Sequence, residues 1–168
     1  MFDPTTFTGF HTWASLIALA VGFLMVAGLI QRRETPLATA IFLVSAIVTS
    51  ATGFGFPFTQ ILPSHIVGAI SLILLAAAVI GRYGFGLAGP WRRIYAASMV
   101  AAQYFLAFVA IAQTFSKVPA LNPAAPTPIN PTDPVFGAVQ AVVLVIFVWL
   151  GLRAVRRFQQ GATLRPAL

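Results

Sequence analysis

Five runs of about twenty apolar residues run through this chain, and each is long enough to cross the hydrocarbon core of a bilayer as a helix. They fall at roughly residues 10–31, 36–55, 64–82, 93–115 and 135–155. Within them Asp, Glu, Lys and Arg are absent until the ends are reached. A backbone placed in lipid must satisfy its own N–H and C=O groups, and a helix does so within one segment. The expectation is therefore an all-α integral membrane protein, a five-helix bundle forming one domain over residues 1–168. Composition points the same way. Of 168 residues, 59% are hydrophobic and 8% charged, against about 25% charged in soluble domains. That leaves too little polar surface to wrap a water-facing fold.

The basic residues choose an orientation. Nine of the ten are arginine, at 32, 33, 82, 92, 93, 153, 156, 157 and 165. With the N-terminus outside, all nine fall on the cytoplasmic side and only Lys117 falls outside, together with Asp3 and Asp133. Such a bias sets membrane orientation and fits an odd number of spans. It also accounts for the net charge of +7 without nucleic acid, since the charges sit at span ends and form no phosphate-binding stripe. The first run lacks a basic head and is too long for a cleavable signal, so it reads as a retained span. Cysteine is absent, which excludes disulfide-exchange chemistry and thiolate metal sites. The arginine and alanine usage fits a bacterial source, hence an inner-membrane location.

Punctuation marks the span ends. Thr35-Pro36 reads as an N-cap followed by proline at the first helical position. Pro63-Ser64 opens the third run, with Ser64 placed to cap, and Pro90 and Pro134 precede the fourth and fifth. Residues 116–134 carry six prolines and read as a stiff extended connector across the outer face, or a strap for a partner.

Three strings imitate functional motifs. "TSATGFGFPF" (49–58) resembles a potassium filter, but a filter follows a short re-entrant helix. Here the preceding run crosses completely, so Gly53 and Gly55 read as a turn, Pro57 as a stop, and Phe54, Phe56 and Phe58 as interface anchors. "GFGLAG" (84–89) matches a dinucleotide fingerprint but lacks the strand and the acidic residue that such a site needs. It reads as a turn in an aromatic belt, with Arg82, Arg92 and Arg93 snorkelling. "AVRRFQQ" (154–160) could attract anionic lipid, and reads more simply as a stop-transfer end.

Polar residues gather toward the outer half of the bundle. His11 and Ser15 lie one turn apart; Ser45, Thr49 and Thr52 share a stripe; His65 opens the third span; Gln113 ends the fourth; Gln140 lies just inside the fifth. Two uses are open. The residues can act as helix glue, each interhelical hydrogen bond contributing about 0.6 kcal/mol. Small-residue stripes at Ser64, Gly68, Ser71 and Ala78, and at Gln103, Ala107, Ala110 and Thr114, serve the same end. Alternatively His11, Thr49, Thr52, His65, Gln113 and Gln140 line a pocket open to the outside. Two histidines at one depth permit bis-histidine haem b ligation, although only Lys117 is available for the propionates. A quinone or a lipid headgroup fits as well. No third ligand accompanies the histidines for a metal site, and no catalytic constellation is present.

The segments "FPFTQILPSHIVGAISL", "GRYGFGLAGPWRRIY" and "QTFSKVPALNPAAP" resemble small multi-pass bacterial inner-membrane proteins without an assigned activity. The resemblance implies the same helical membrane architecture and transfers no functional residue. The first expectation for function is a non-enzymatic structural or accessory subunit, packing with itself or with a larger membrane complex. The alternatives are a haem- or quinone-binding protein using the outer pocket, and a passive channel or neutral-solute carrier.

Overall fold

The computed structural model describes residues 3–57, 63–121 and 132–163. Among these residues the chain is all-helical. The elements are α1 (Phe7–Ile30), α2 (Pro36–Gly53), α3 (Pro63–Val79), a π-helical turn over Ile80–Gly84, α4 (Trp91–Lys117) and α5 (Pro134–Thr163). Five helices are long and apolar enough to cross a membrane. Successive helices run in alternating directions. The starts of α1, α3 and α5 therefore meet the ends of α2 and α4 at one face, called here the N-terminal face.

Each terminus has a local cause. At α1 the Thr6 hydroxyl accepts from Gly9 N–H at 3.1 Å. The Thr5 hydroxyl and N–H both donate to Asp3 Oδ1, and they hold that carboxyl below its ordinary range. Helix α5 is capped by Asp133, whose Oδ1 accepts from Phe136 N–H at 2.8 Å, with Pro134 at the first position, where no N–H is needed. Thr35 stands at the N-cap of α2, but its side chain makes no capping bond. Its methyl and hydroxyl instead press on Gly28 of α1, where a Cβ would collide with them. Helix α3 starts at Pro63, so Ser64 falls in the first turn and is not the cap. Of the proline-rich connector, residues 122–131 lie outside the described residues, as do Phe58 and Arg165.

The filter-like string turns at Phe54–Gly55 as expected, but without a left-handed glycine. Neither Gly53 nor Gly55 takes a positive φ. Helix α2 runs through Gly53, and Gly55 makes room for the Phe7 ring: an added Cβ would lie 2.7 Å from Phe7 Cζ. The left-handed glycines are Gly86 (φ 55°) and Gly89 (φ 52°), in the turn that follows the π-helical segment. There Leu87 N–H reaches back to Gly81 O at 2.9 Å, and Leu87 is itself buried.

Helix α4 is the hub. Of its spanning window 44% is buried inside the bundle, against 17% for α5, so α5 is the peripheral helix. Lipid is as apolar as leucine, so helix association rests on close fit and hydrogen bonds rather than on expulsion of water. The fit is tightest where Gln103 of α4 enters a notch over Gly22 of α1. Its Nε2 donates to Leu19 O at 2.8 Å, while its Oε1 and the Phe42 ring occupy the space that a Gly22 side chain would need. Ser71, Ala78, Gln103 and Ala107, four members of the small-residue stripes, are buried within this core. Those positions are taken up inside the bundle and are not free for another chain.

The described arginines collect at the face opposite the N-terminal one, and two of them are docked rather than snorkelling. Arg82 Nη1 pairs with Glu34 Oε2 at 2.9 Å, tying the α1–α2 turn to the π-helical turn after α3. Arg92 Nε donates to Phe158 O at 2.8 Å, and its guanidinium lies over the Phe158 ring at 3.9 Å.

Candidate functional site

At the N-terminal face α1, α2, α3 and α4 splay apart around a cavity of about 700 Å³, within the usual size of a small-molecule site. Its deeper walls are mostly apolar, with Leu16, Leu19, Phe105, Leu106 and Val109, and Ser71 is the polar residue among them. Its upper wall and mouth carry His11, Ser64, His65, Gln113, Thr114 and Lys117. One turn below, the bundle closes: Ala18, Phe42, Leu75, Met99 and Gln103 are at most 1% exposed. The space is thus a funnel with a polar mouth and an apolar floor.

Four of the six residues expected to share a pocket do line it: His11, Thr49, His65 and Gln113. Thr52 stands behind the wall and holds His11, its Oγ1 lying 2.8 Å from His11 Nδ1. Gln140 is elsewhere. It is buried between α4 and α5, where its Nε2 donates to Phe108 O at 3.1 Å. The sequence places Gln140 at the right depth, but depth says nothing of which helix face it occupies.

The contacts of Thr52 favour one tautomer of the histidine. Thr52 has one hydroxyl hydrogen, and Val48 O accepts it at 2.7 Å, the usual back-bond of a helical threonine. With its hydrogen so placed, Thr52 Oγ1 accepts from His11, and in that tautomer the Nδ1 of His11 carries hydrogen. In the neutral ring Nε2 is then a bare acceptor. It has no protein partner among the described residues. The ring is further held by Phe56, in edge contact at 5.1 Å between centroids. His65 packs against Phe54 at 5.6 Å. Sequence reasoning took Phe54 and Phe56 only for interface anchors. They serve instead as aromatic walls that position the two histidines, and their alternate spacing beyond the end of α2 was the available signal.

Thr49 is a second unspent group. On its stripe, Ser45 and Thr52 back-bond to carbonyls of their own helix. Thr49 does not: its Oγ1 is enclosed and has no hydrogen-bond partner. A buried hydroxyl without a partner is unfavourable by roughly 1–3 kcal/mol.

Among the described residues no three His, Cys, Asp or Glu side chains come together to hold a metal ion. No protein-family model, curated protein or solved structure matches the chain.

Proposed function

We propose that this is a multi-pass membrane protein of the bacterial inner membrane, N-terminus outside and C-terminus in the cytoplasm, which binds an amphipathic small molecule of the quinone type in the funnel. The oriented His11, with Nε2 unspent in the cavity wall, carries this reading. A ring hydroxyl can donate to Nε2, a ring carbonyl can accept from Gln113 or Lys117, and the apolar floor takes the tail. Among the described residues neither Asp nor Glu lines the funnel, which suits a neutral or anionic head. The bundle closes below the cavity, which supports binding over conduction. The accessory-subunit reading loses part of its motive, because much of the small-residue stripes is buried within the core. Fluorescence titration of the purified protein in micelles with a short-chain ubiquinol under reducing conditions, corrected for partition into empty micelles, tests the proposal. Saturable binding at one site per chain is expected, and purely linear partitioning contradicts it.

A second reading is supported by both histidines lining one cavity. His11 presents Nε2 while its Nδ1–H is tied to Thr52, so His11 and His65 are the residues that would hold a haem iron. Haem b between His11 and His65 predicts a Soret band after haem-replete expression. Its absence removes this reading and leaves the first untouched.

A further inference from the structure

At the opposite end of the molecule, α4 and α5 part to leave a second space of about 390 Å³. Its walls are almost wholly apolar, from Ala97, Val100 and Ala101 on α4 and from Phe147, Gly151 and Leu152 on α5. Small residues on both helices keep it open: Gly151 has only Val100 Cγ1 near its missing side chain, at 3.6 Å. The groove is not uniform along its length. One end is lined by Arg156. Arg93 precedes Ala97 and Ala101 by one and two turns and therefore continues the same face of α4 beyond that end. Both arginines are exposed, and neither has a partner among the described residues. Arg92 and Arg82, by contrast, are committed to Phe158 O and Glu34.

Depth identifies the occupant. Arg156 lies 22 residues beyond Pro134, about 33 Å along the helix at 1.5 Å per residue, which reaches the far edge of a hydrocarbon core roughly 30 Å thick. The groove then extends from Arg156 back to Leu144, about 18 Å and close to the depth of one leaflet. A helix of a second copy would need a seam running the full thickness of the membrane. An acyl chain needs half of it, with its phosphate at the level of the arginines. We infer that the α4–α5 groove is a binding site for one anionic phospholipid, with an acyl chain against Ala97, Ala101 and Gly151 and the phosphate between Arg93 and Arg156. Guanidinium groups pair with phosphate through directed N–H donors, and basic pockets between helices bind anionic headgroups. The site is independent of the funnel at the N-terminal face.

The test is native mass spectrometry of the full chain, purified in mild detergent with equal amounts of phosphatidylglycerol and phosphatidylcholine bearing the same acyl chains. One phosphatidylglycerol per chain should be retained about tenfold more than phosphatidylcholine. In R93Q/R156Q, whose changes are confined to exposed side chains, the ratio should fall toward one. Gly151→Leu, which fills the groove, should abolish retention of both lipids. Ala101→Leu provides the same measurement from α4 should the first variant lose helicity by circular dichroism. Equal retention of the two lipids by the native protein would overturn the inference. So would an unchanged preference in R93Q/R156Q, or a dimer in place of a lipid-bound monomer.

Discussion

At the scale of single residues, this bundle is specified by where side chains are missing as much as by where they are present. Gly22 provides the notch that Gln103 fills, and Gln103 closes the floor beneath the funnel. Its Oε1 has no hydrogen-bond partner and lies against the Gly22 backbone, where a weak Cα–H contact is the available compensation. Gly22→Ala should therefore destabilise the protein by about 1–3 kcal/mol through overpacking. Gln103→Ala should also destabilise it. The two losses should fail to add by about 1 kcal/mol or more, because each residue's effect runs through the other. Reversible unfolding in mixed micelles, read by circular dichroism, gives the cycle; strict additivity would mean that the two residues do not interlock. Gln103 was visible in the sequence as one end of a small-residue stripe, but Gly22 was not visible as its counterpart. A side chain's depth follows from counting along its own helix, whereas its neighbour depends on how two helices rotate and slide. The same limit explains His11 and Gln140. Both are polar and near one face, yet one faces the funnel and the other the α4–α5 seam.

At the scale of elements, the boundaries were legible because lipid thickness and proline set them. The described spans lie within a few residues of expectation apart from the C-terminal end of α5, which runs on through its arginines to Thr163. That extension had no apolar signal, and the spans had been read by hydropathy. How a helix ends was less legible. Helix α1 closes with Arg33 N–H on Gly28 O at 3.1 Å and Arg32 N–H on Leu29 O at 3.2 Å, a Schellman arrangement. It requires a left-handed residue, and Arg32 occupies that position at φ 64°, where glycine is the ordinary choice. The Arg32 side chain is thus held on a backbone conformation less favourable by about 1–2 kcal/mol. Arg32→Gly should raise the unfolding midpoint, by up to about 1 kcal/mol of stability, while weakening the charge bias by one. A lowered midpoint would show that the Arg32 side chain contributes more than its backbone costs.

For the whole molecule, the arginine-rich face and the funnel lie at opposite ends. If synthesis left the arginines in the cytoplasm, the funnel opens outward. The natural absence of cysteine makes this easy to examine. Thr5→Cys should react with a membrane-impermeant maleimide in intact spheroplasts, and Gln160→Cys only after the membrane is opened. The reverse pattern would invert the proposed orientation and place the funnel in the cytoplasm. The binding claim itself turns on one nitrogen. His11→Asn retains an amide N–H in the place of Nδ1–H to meet Thr52, but removes the acceptor at Nε2. Titrated with a short-chain ubiquinol under reducing conditions, the native protein should bind at one site. The variant, folded to the same helicity, should bind about three- to tenfold more weakly, as expected for loss of one hydrogen bond. Equal affinity in the two proteins would contradict the account, because the funnel would then be holding its ligand without the residue said to recognise it.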